Sequence, residues 1–283
     1  MKKKNQITCW LFIIPSVLGV AVFYIIPFFI SFYYSFTDNI LSKNFVGILH
    51  YVETFENPAF KNSLKNTIIL VSICITLNTI LSFFLAYLIR NYIYLKSMMY
   101  IFVILPFFIP SGSTIYFWRV IFDNNGLLNK IIINNYNQSI NWDTNPFIVL
   151  VVVFIFLWKN IGYCTILFAA RMNWISEEYY DVLKLEGGKF RHELYYVVGP
   201  FIMPTISTVA LMSFTFTSKI FKEIYLLFKN YPNKNIYLLQ HYINNQIANL
   251  NFQKMSAASI SLCFLSFILI LFISRFRYRG EDF

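Results

Sequence analysis

Apolar positions in this chain come in long blocks. Runs rich in Leu, Ile, Val and Phe occupy 9–36, 66–89, 100–122, 147–170, 204–228 and 256–274. Each is long enough to predict a helix across a hydrocarbon core, which takes about 20 mostly apolar residues. Lipid offers no water to the backbone, so spanning segments of this length satisfy their N–H and C=O groups as helices. The pattern therefore predicts an all-α polytopic membrane protein with six transmembrane helices, forming one domain over 1–283 and embedded in a lipid bilayer.

Composition agrees. Hydrophobic residues make up 58% of the chain, charged residues 13%, and the mean hydropathy is +0.57, outside the range of ordinary soluble domains. The net charge of +10 follows from where the basic residues sit, and needs no nucleic acid. Lys2, Lys3, Lys4, Arg90, Lys96, Arg171, Lys184, Lys189, Arg191, Arg275, Arg277 and Arg279 fall at alternate ends of the spans. Lys43, Lys61, Lys65, Lys130, Lys229, Lys234 and Lys254 spread over the longer loops of the other face. The positive-inside bias then predicts cytoplasmic termini. The first apolar run is too long for a signal-peptide core and no small-residue cleavage site follows it, so it is expected to remain as an anchor. Cys9, Cys74, Cys164 and Cys263 lie within spans and lack CxxC spacing, which predicts packing residues.

One hydrophilic loop, 175–200, interrupts this pattern. It holds five of the thirteen acidic residues: Glu177, Glu178, Asp181, Glu186 and Glu193. Ser176 is a suitable N-cap, and Glu177 and Glu178 place negative charge in a first turn. Gly187 and Gly188 offer a left-handed residue at a helix C-terminus. A second short helix is expected from Lys189 to Val198, stopped by Gly199-Pro200 because proline lacks the N–H to continue. The loop reads as helix, glycine turn, helix, on a cytoplasmic surface that meets a soluble partner.

The loop resembles the cytoplasmic "EAA" loop of permease subunits of binding-protein-dependent ABC importers, of the maltose and glycerol-phosphate type. Asp181-Val182-Leu183 stands where that family has Glu-Ala-Ala, and Glu186-Gly187-Gly188 where it has Asp-Gly-Ala. Pro200 and Pro204 keep the family spacing. Val182 and Leu183 are bulkier than the family's alanines. Further matches are Pro15, Pro27 and Ser35-Phe36-Thr37-Asp38 in the first span, and Phe45-Val46-Gly47, Tyr51, Asn57-Pro58 and Asn66-Thr67 after it. Trp118-Arg119, Gly126-Leu127-Leu128-Asn129, Trp142, Asn145-Pro146 and Trp158-Lys159 extend the resemblance over nearly the whole chain. It implies that Glu178, Asp181, Val182, Leu183, Glu186, Gly187, Gly188 and Pro200 belong to a coupling helix and turn that dock on an ATPase subunit.

Polar residues inside apolar spans are candidates for a substrate path. Asn78 fits helix packing better than solute contact, since amides in hydrocarbon pair with neighbouring helices. Lys159 and Asn160 stand halfway along the fourth span, where a cation costs about 2.5–3.5 kcal/mol on insertion scales and faces a cavity or a partner. They either line the path or make structural contacts. Thr215, Ser218, Lys219 and Lys222 crowd the fifth span. The two lysines either share a wall that favours an anionic solute or extend to the outer interface. The family's Phe-Asp and glycine-rich turn are replaced here by Phe221-Lys222 and Lys229-Asn230-Tyr231-Pro232.

Other chemistry is set aside. Leu183 and Phe190 occupy positions where a P-loop ending in Gly188-Lys189 requires Gly and Ser or Thr, and Tyr196 stands where a zincin helix starting at His192-Glu193 needs its second histidine. No catalytic or metal site, and no bound cofactor, is expected. The resemblance implies a transport subunit forming half of a solute pathway for a sugar, an oligosaccharide or a glycerol-phosphate-like solute. It implies a second, non-identical permease, two ATP-binding subunits that use ATP and Mg, an extracytoplasmic solute-binding protein, and a bacterial cytoplasmic membrane. The alternative is an ion-coupled secondary transporter. Such proteins place Asp, Glu or His inside the membrane, and here the buried charges read as basic.

Overall fold

The apolar blocks become helices, and the prolines decide how those helices bend. The computed structural model describes residues 13–278 apart from 40, 41, 43, 93, 95, 143 and 145. The expectations placed on Lys2, Lys3, Lys4, Cys9, Lys43, Asn145 and Arg279 lie outside the described residues. Among the described residues five helices are long and apolar enough to cross a membrane, or six when the bent pair Lys96–Phe108 and Ser111–Tyr136 is counted as one span.

Residue contacts fall into two units, Met1–Lys61 with Tyr242–Leu265, and Asn62–His241 with Ser266–Phe283. The first unit contains α1 (Ile13–Tyr34), α2 (Leu49–Glu56) and parts of three helices shared with the second: α3 (Pro58–Tyr92), α11 (Leu239–Ala248) and α12 (Phe252–Tyr278). No residue in the apolar stretch of α1 is buried, as a lipid-facing or partner-facing helix requires. Polar contacts hold its end: the Tyr51 hydroxyl donates to Ser35 Oγ at 2.8 Å, and the His50 Nε2 lies 2.9 Å from the Thr37 carbonyl. Thr37 also makes an isolated antiparallel bridge with Phe45. Phe60 packs edge-on against Tyr242, and Lys254 pairs with Glu53 at 3.1 Å.

The second unit contains the rest. α4 (Lys96–Phe108) and α5 (Ser111–Phe122) precede a short α6 (Leu127–Tyr136), then come α7 (Phe147–Met172) and α8 (Glu177–Leu185). α9 (Gly199–Thr217) and α10 (Ile220–Phe228) follow. α7 is the hub: its buried residues enter the core formed with α3 and α9 and the core formed with α10. α4 packs so closely on α7 that a Cβ on Gly162 would lie 1.9 Å from the Val103 carbonyl oxygen. Only glycine permits that approach.

Two expectations are corrected. The third span, 100–122, is not one kinked rod. Its axis turns by 97° between Lys96–Phe108 and Ser111–Tyr136. Pro110 disfavours helical geometry at Ile109 and itself takes ψ 143, so the chain leaves the helix and restarts at Ser111. The second correction is at Gly199-Pro200, which does not stop a helix. Phe190–His192 widens into a π turn, Glu193–Val198, and the chain runs on into α9 with Pro200 in its first turn. The N–H of Gly199 bonds the Leu194 carbonyl, five residues back. The wide turn takes up the proline ring and its missing donor without ending the helix. The first helix repeats the device, with a π turn at Ala21–Ile25 ahead of Pro27.

Candidate functional site

The 175–200 loop is shaped by its caps. Ser176 adopts ψ 140 and its side chain accepts from the Glu178 N–H at 3.4 Å, with Glu177 and Glu178 in the first turn of α8. At the other end the Gly188 N–H bonds the Leu183 carbonyl at 2.8 Å and the Gly187 N–H bonds the Lys184 carbonyl at 3.1 Å. With φ +71 at Gly187 this is a Schellman C-cap. A Cβ on Gly188 would lie 2.8 Å from the Leu183 carbonyl oxygen, so both glycines have a structural reason.

α8 has two faces. Tyr180 is buried and Leu183 half-buried against Tyr87, Phe168, Met172 and Val198. Glu178, Asp181, Val182 and Glu186 are exposed, and Leu185 is 89% exposed. The inner face is fastened to the end of α3. Arg90 donates to the Tyr180 hydroxyl, lies 4.5 Å above the Tyr180 ring, and reaches Glu177 at 3.6 Å. Burial pushes the Tyr180 phenol above its usual range, and the Arg90 guanidinium opposes that rise. Pro200, also assigned to the loop, is exposed at the start of α9.

The candidate path residues separate into distinct groups. Asn78 is fully buried on α3, and its amide donates to Ser213 Oγ at 2.8 Å and to Cys164 Sγ at 3.1 Å, joining α3, α7 and α9. That is the helix-packing role. Asn160 is buried and donates to the Phe156 carbonyl of its own helix at 2.8 Å. Thr215 and Ser218 return their hydroxyls to Leu211 and Phe214, and Lys219 and Lys222 are exposed.

Lys159 alone of these joins a charged cluster. Its Nζ lies 2.9 Å from Glu223 Oε1 on α10 and 2.8 Å from Ser111 Oγ, while the Ser111 hydroxyl donates to the same carboxylate oxygen at 2.8 Å. Both charged side chains are 15% exposed. Ser111 is the first residue after the helix break, so the carboxylate sits at a helix N-terminus and faces the Lys159 ammonium. In the sequence Glu223 sits near the end of its segment and the buried charges read as basic; the structure adds this carboxylate to them. The readable signal was a lone carboxylate in one apolar segment complementing a lone lysine in another.

Toward the other end of α5, Trp118 is the centre of an aromatic cluster with Phe122, Phe154 and Trp158, and Phe122 continues it to Trp142. A cavity of about 260 Å³ opens beside it, lined by Trp118, Arg119, Phe122, Asp123, Trp142 and Phe228 among others. No cluster of three or more His, Cys, Asp or Glu side chains that could hold a metal ion occurs among the described residues.

Known proteins resemble this chain over nearly its full length. A probable ABC transporter permease protein of Pyrococcus horikoshii is 27% identical over 282 residues, covering 96% of each chain. The lactose transport system permease protein of Rhizobium radiobacter is 24% identical, covering 97% of this chain and 93% of its own. Crystal structures of a bacterial ABC transporter that imports the acidic polysaccharide alginate share the fold, with TM-scores of 0.86 and 0.85 at 19% identity. They cover 98% of this chain and 96% of theirs, and one is a complex with an alginate pentasaccharide-bound periplasmic protein. No family model matches the sequence.

Proposed function

We propose, from the premise that the chain belongs to the sugar-type permeases of ABC transporters, that it forms one half of an ATP-driven import pathway for a saccharide. The observation that carries this reading is the two-faced α8. Its inner face is pinned by Tyr180 and Arg90, and its outer face presents Val182 and Leu185 within a ring of carboxylates. That is the form of a docking helix whose displacement passes into the membrane helices as a rigid-body motion. Glu178, Asp181, Val182, Leu183, Glu186, Gly187, Gly188 and Pro200 make up this coupling element. ATP and Mg act in two partner ATPase subunits, and a second permease completes the pathway. A solute-binding protein delivers the solute on the outer side, and both termini of this chain are cytoplasmic.

The solute class follows the relatives named for lactose and alginate transport. Lys159 is neutralised by Glu223, so the centre of the membrane helices carries no net charge at that point. This fits passage of a polyhydroxylated solute. An ion-coupled mechanism is not favoured: the relatives are ABC transporter permeases, and Glu223 Oε1 is engaged by Lys159 and Ser111.

The test is purification of the tagged chain in mild detergent. An ATPase and a second permease are expected to co-purify, and ATP hydrolysis by the assembly is expected to fall when Val182 and Leu185 are both changed to Asp. Recovery of the chain alone from several detergents overturns the reading.

A further inference from the structure

The cavity beside Trp118 has a chemistry that the permease fold by itself does not require. Trp118 is 9% exposed, and its indole N–H and that of Trp142 are both buried with no hydrogen-bond partner. Both indoles line the cavity, together with the rings of Phe122 and Phe228. Arg119 on α5 and Asp123, the residue that caps its end, both stand exposed at the rim of the cavity. The Asn125 N–H, donating to Asp123 Oδ1 at 3.0 Å, orients that carboxylate.

A pyranose ring combines an apolar C–H face with a rim of hydroxyls that both donate and accept. Flat indole and phenyl faces cover the first, and guanidinium and carboxylate groups serve the second. A lipid chain uses none of these polar groups. An anion has no use for Asp123, and a cation none for Arg119. The cavity also shares its helices with the buried charge cluster: α5 carries Ser111 and Trp118, and α10 carries Glu223 and Phe228. Along α5 the separation is about 10 Å.

The geometry points to a saccharide subsite formed by Trp118, Trp142, Arg119 and Asp123, about two helical turns from the Lys159–Glu223 pair along α5. It holds one sugar ring of the solute. This inference rests on the proposed reading of the chain as a saccharide permease.

The complete importer, with its tryptophans ¹⁵N-labelled and placed in nanodiscs, is titrated with lactose, maltotetraose and alginate pentasaccharide. ATP-driven uptake of the same sugars is measured in proteoliposomes. At least one sugar is expected to shift the indole resonances of Trp118 and Trp142, assigned with Trp118→Phe and Trp142→Phe, while the exposed Trp174 stays fixed. Asp123→Asn and Arg119→Gln, which leave the packing untouched, raise the half-saturating sugar concentration about tenfold, the loss of roughly one hydrogen bond to a charged group. If the unaltered importer takes up a sugar but the two indoles do not respond and both polar variants titrate normally, the subsite is overturned and the transport reading stands. If none of the three sugars is taken up, the transport reading falls and the subsite with it.

Discussion

Lys159 Nζ and Glu223 Oε1, 64 residues apart in sequence, lie 2.9 Å apart and tie the middle of α7 to the first turn of α10. Neither charge is tolerable alone at that burial, and each makes the other so. Removing one partner, by Glu223→Gln or Lys159→Met, is expected to cost about 3–5 kcal/mol because an unpaired charge remains. Removing both, by Lys159→Met with Glu223→Leu, should recover most of that loss. Unfolding midpoints in detergent read the comparison, and a double variant no better than either single one overturns it.

Gly162 is the point of closest approach between α4 and α7. A methyl group there meets the Val103 carbonyl, with the Ile104 Cα at 2.8 Å, so Gly162→Ala forces two backbones apart. Overpacking of this kind costs about 1–3 kcal/mol, and contact with backbone puts this site at the upper end. Gly19→Ala meets nothing within 4 Å and is the control. The yield of folded protein by size-exclusion chromatography should fall for the first and not for the second.

At Gly187 the constraint is conformational rather than steric. With φ +71 and open space around it, Gly187→Asn should be mild and Gly187→Val should cost about 1–3 kcal/mol of local strain. Proteolysis of the 175–200 loop should accelerate for Val and not for Asn, and ATPase stimulation in the assembled importer should follow the same order.

His241 is fully buried, its Nδ1 accepts the Leu238 N–H at 3.1 Å, and burial pushes its imidazole down to about 4. The folded state therefore holds it neutral while the unfolded chain protonates near its ordinary value of 6.5. Its contribution is complete above that value and is lost as pH falls from there toward 4. Thermal midpoints measured across that range should drop with acid in the unaltered protein and drop less in His241→Gln.

How much of this was legible in the sequence depends on how local the cause is. The limits of α8 follow from Ser176 and the Gly187-Gly188 pair, whose capping needs only neighbouring backbone. Pro106 and Pro110 flank the break after Phe108, but proline alone does not distinguish a shallow kink from a turn of 97°. At Pro200 the same rule misled, because a π turn before a proline lets the helix continue. Glu223 reads in the sequence only as an acid near the end of its segment: its partners, Lys159 and Ser111, come from two other helices, and only packing brings them together. The unpaired indoles of Trp118 and Trp142 are likewise a property of three-dimensional enclosure.

The interruption at Ile109-Pro110 has one more consequence. Backbone that leaves its helix inside a hydrocarbon layer persists only against protein or a wet cavity, and beside it lies an ion pair that is 15% exposed. Ser111, Lys159 and Glu223 supply that polar protein company, so the interrupted helix and the ion pair depend on each other: a variant that loses the pair also strips the break of its polar neighbours.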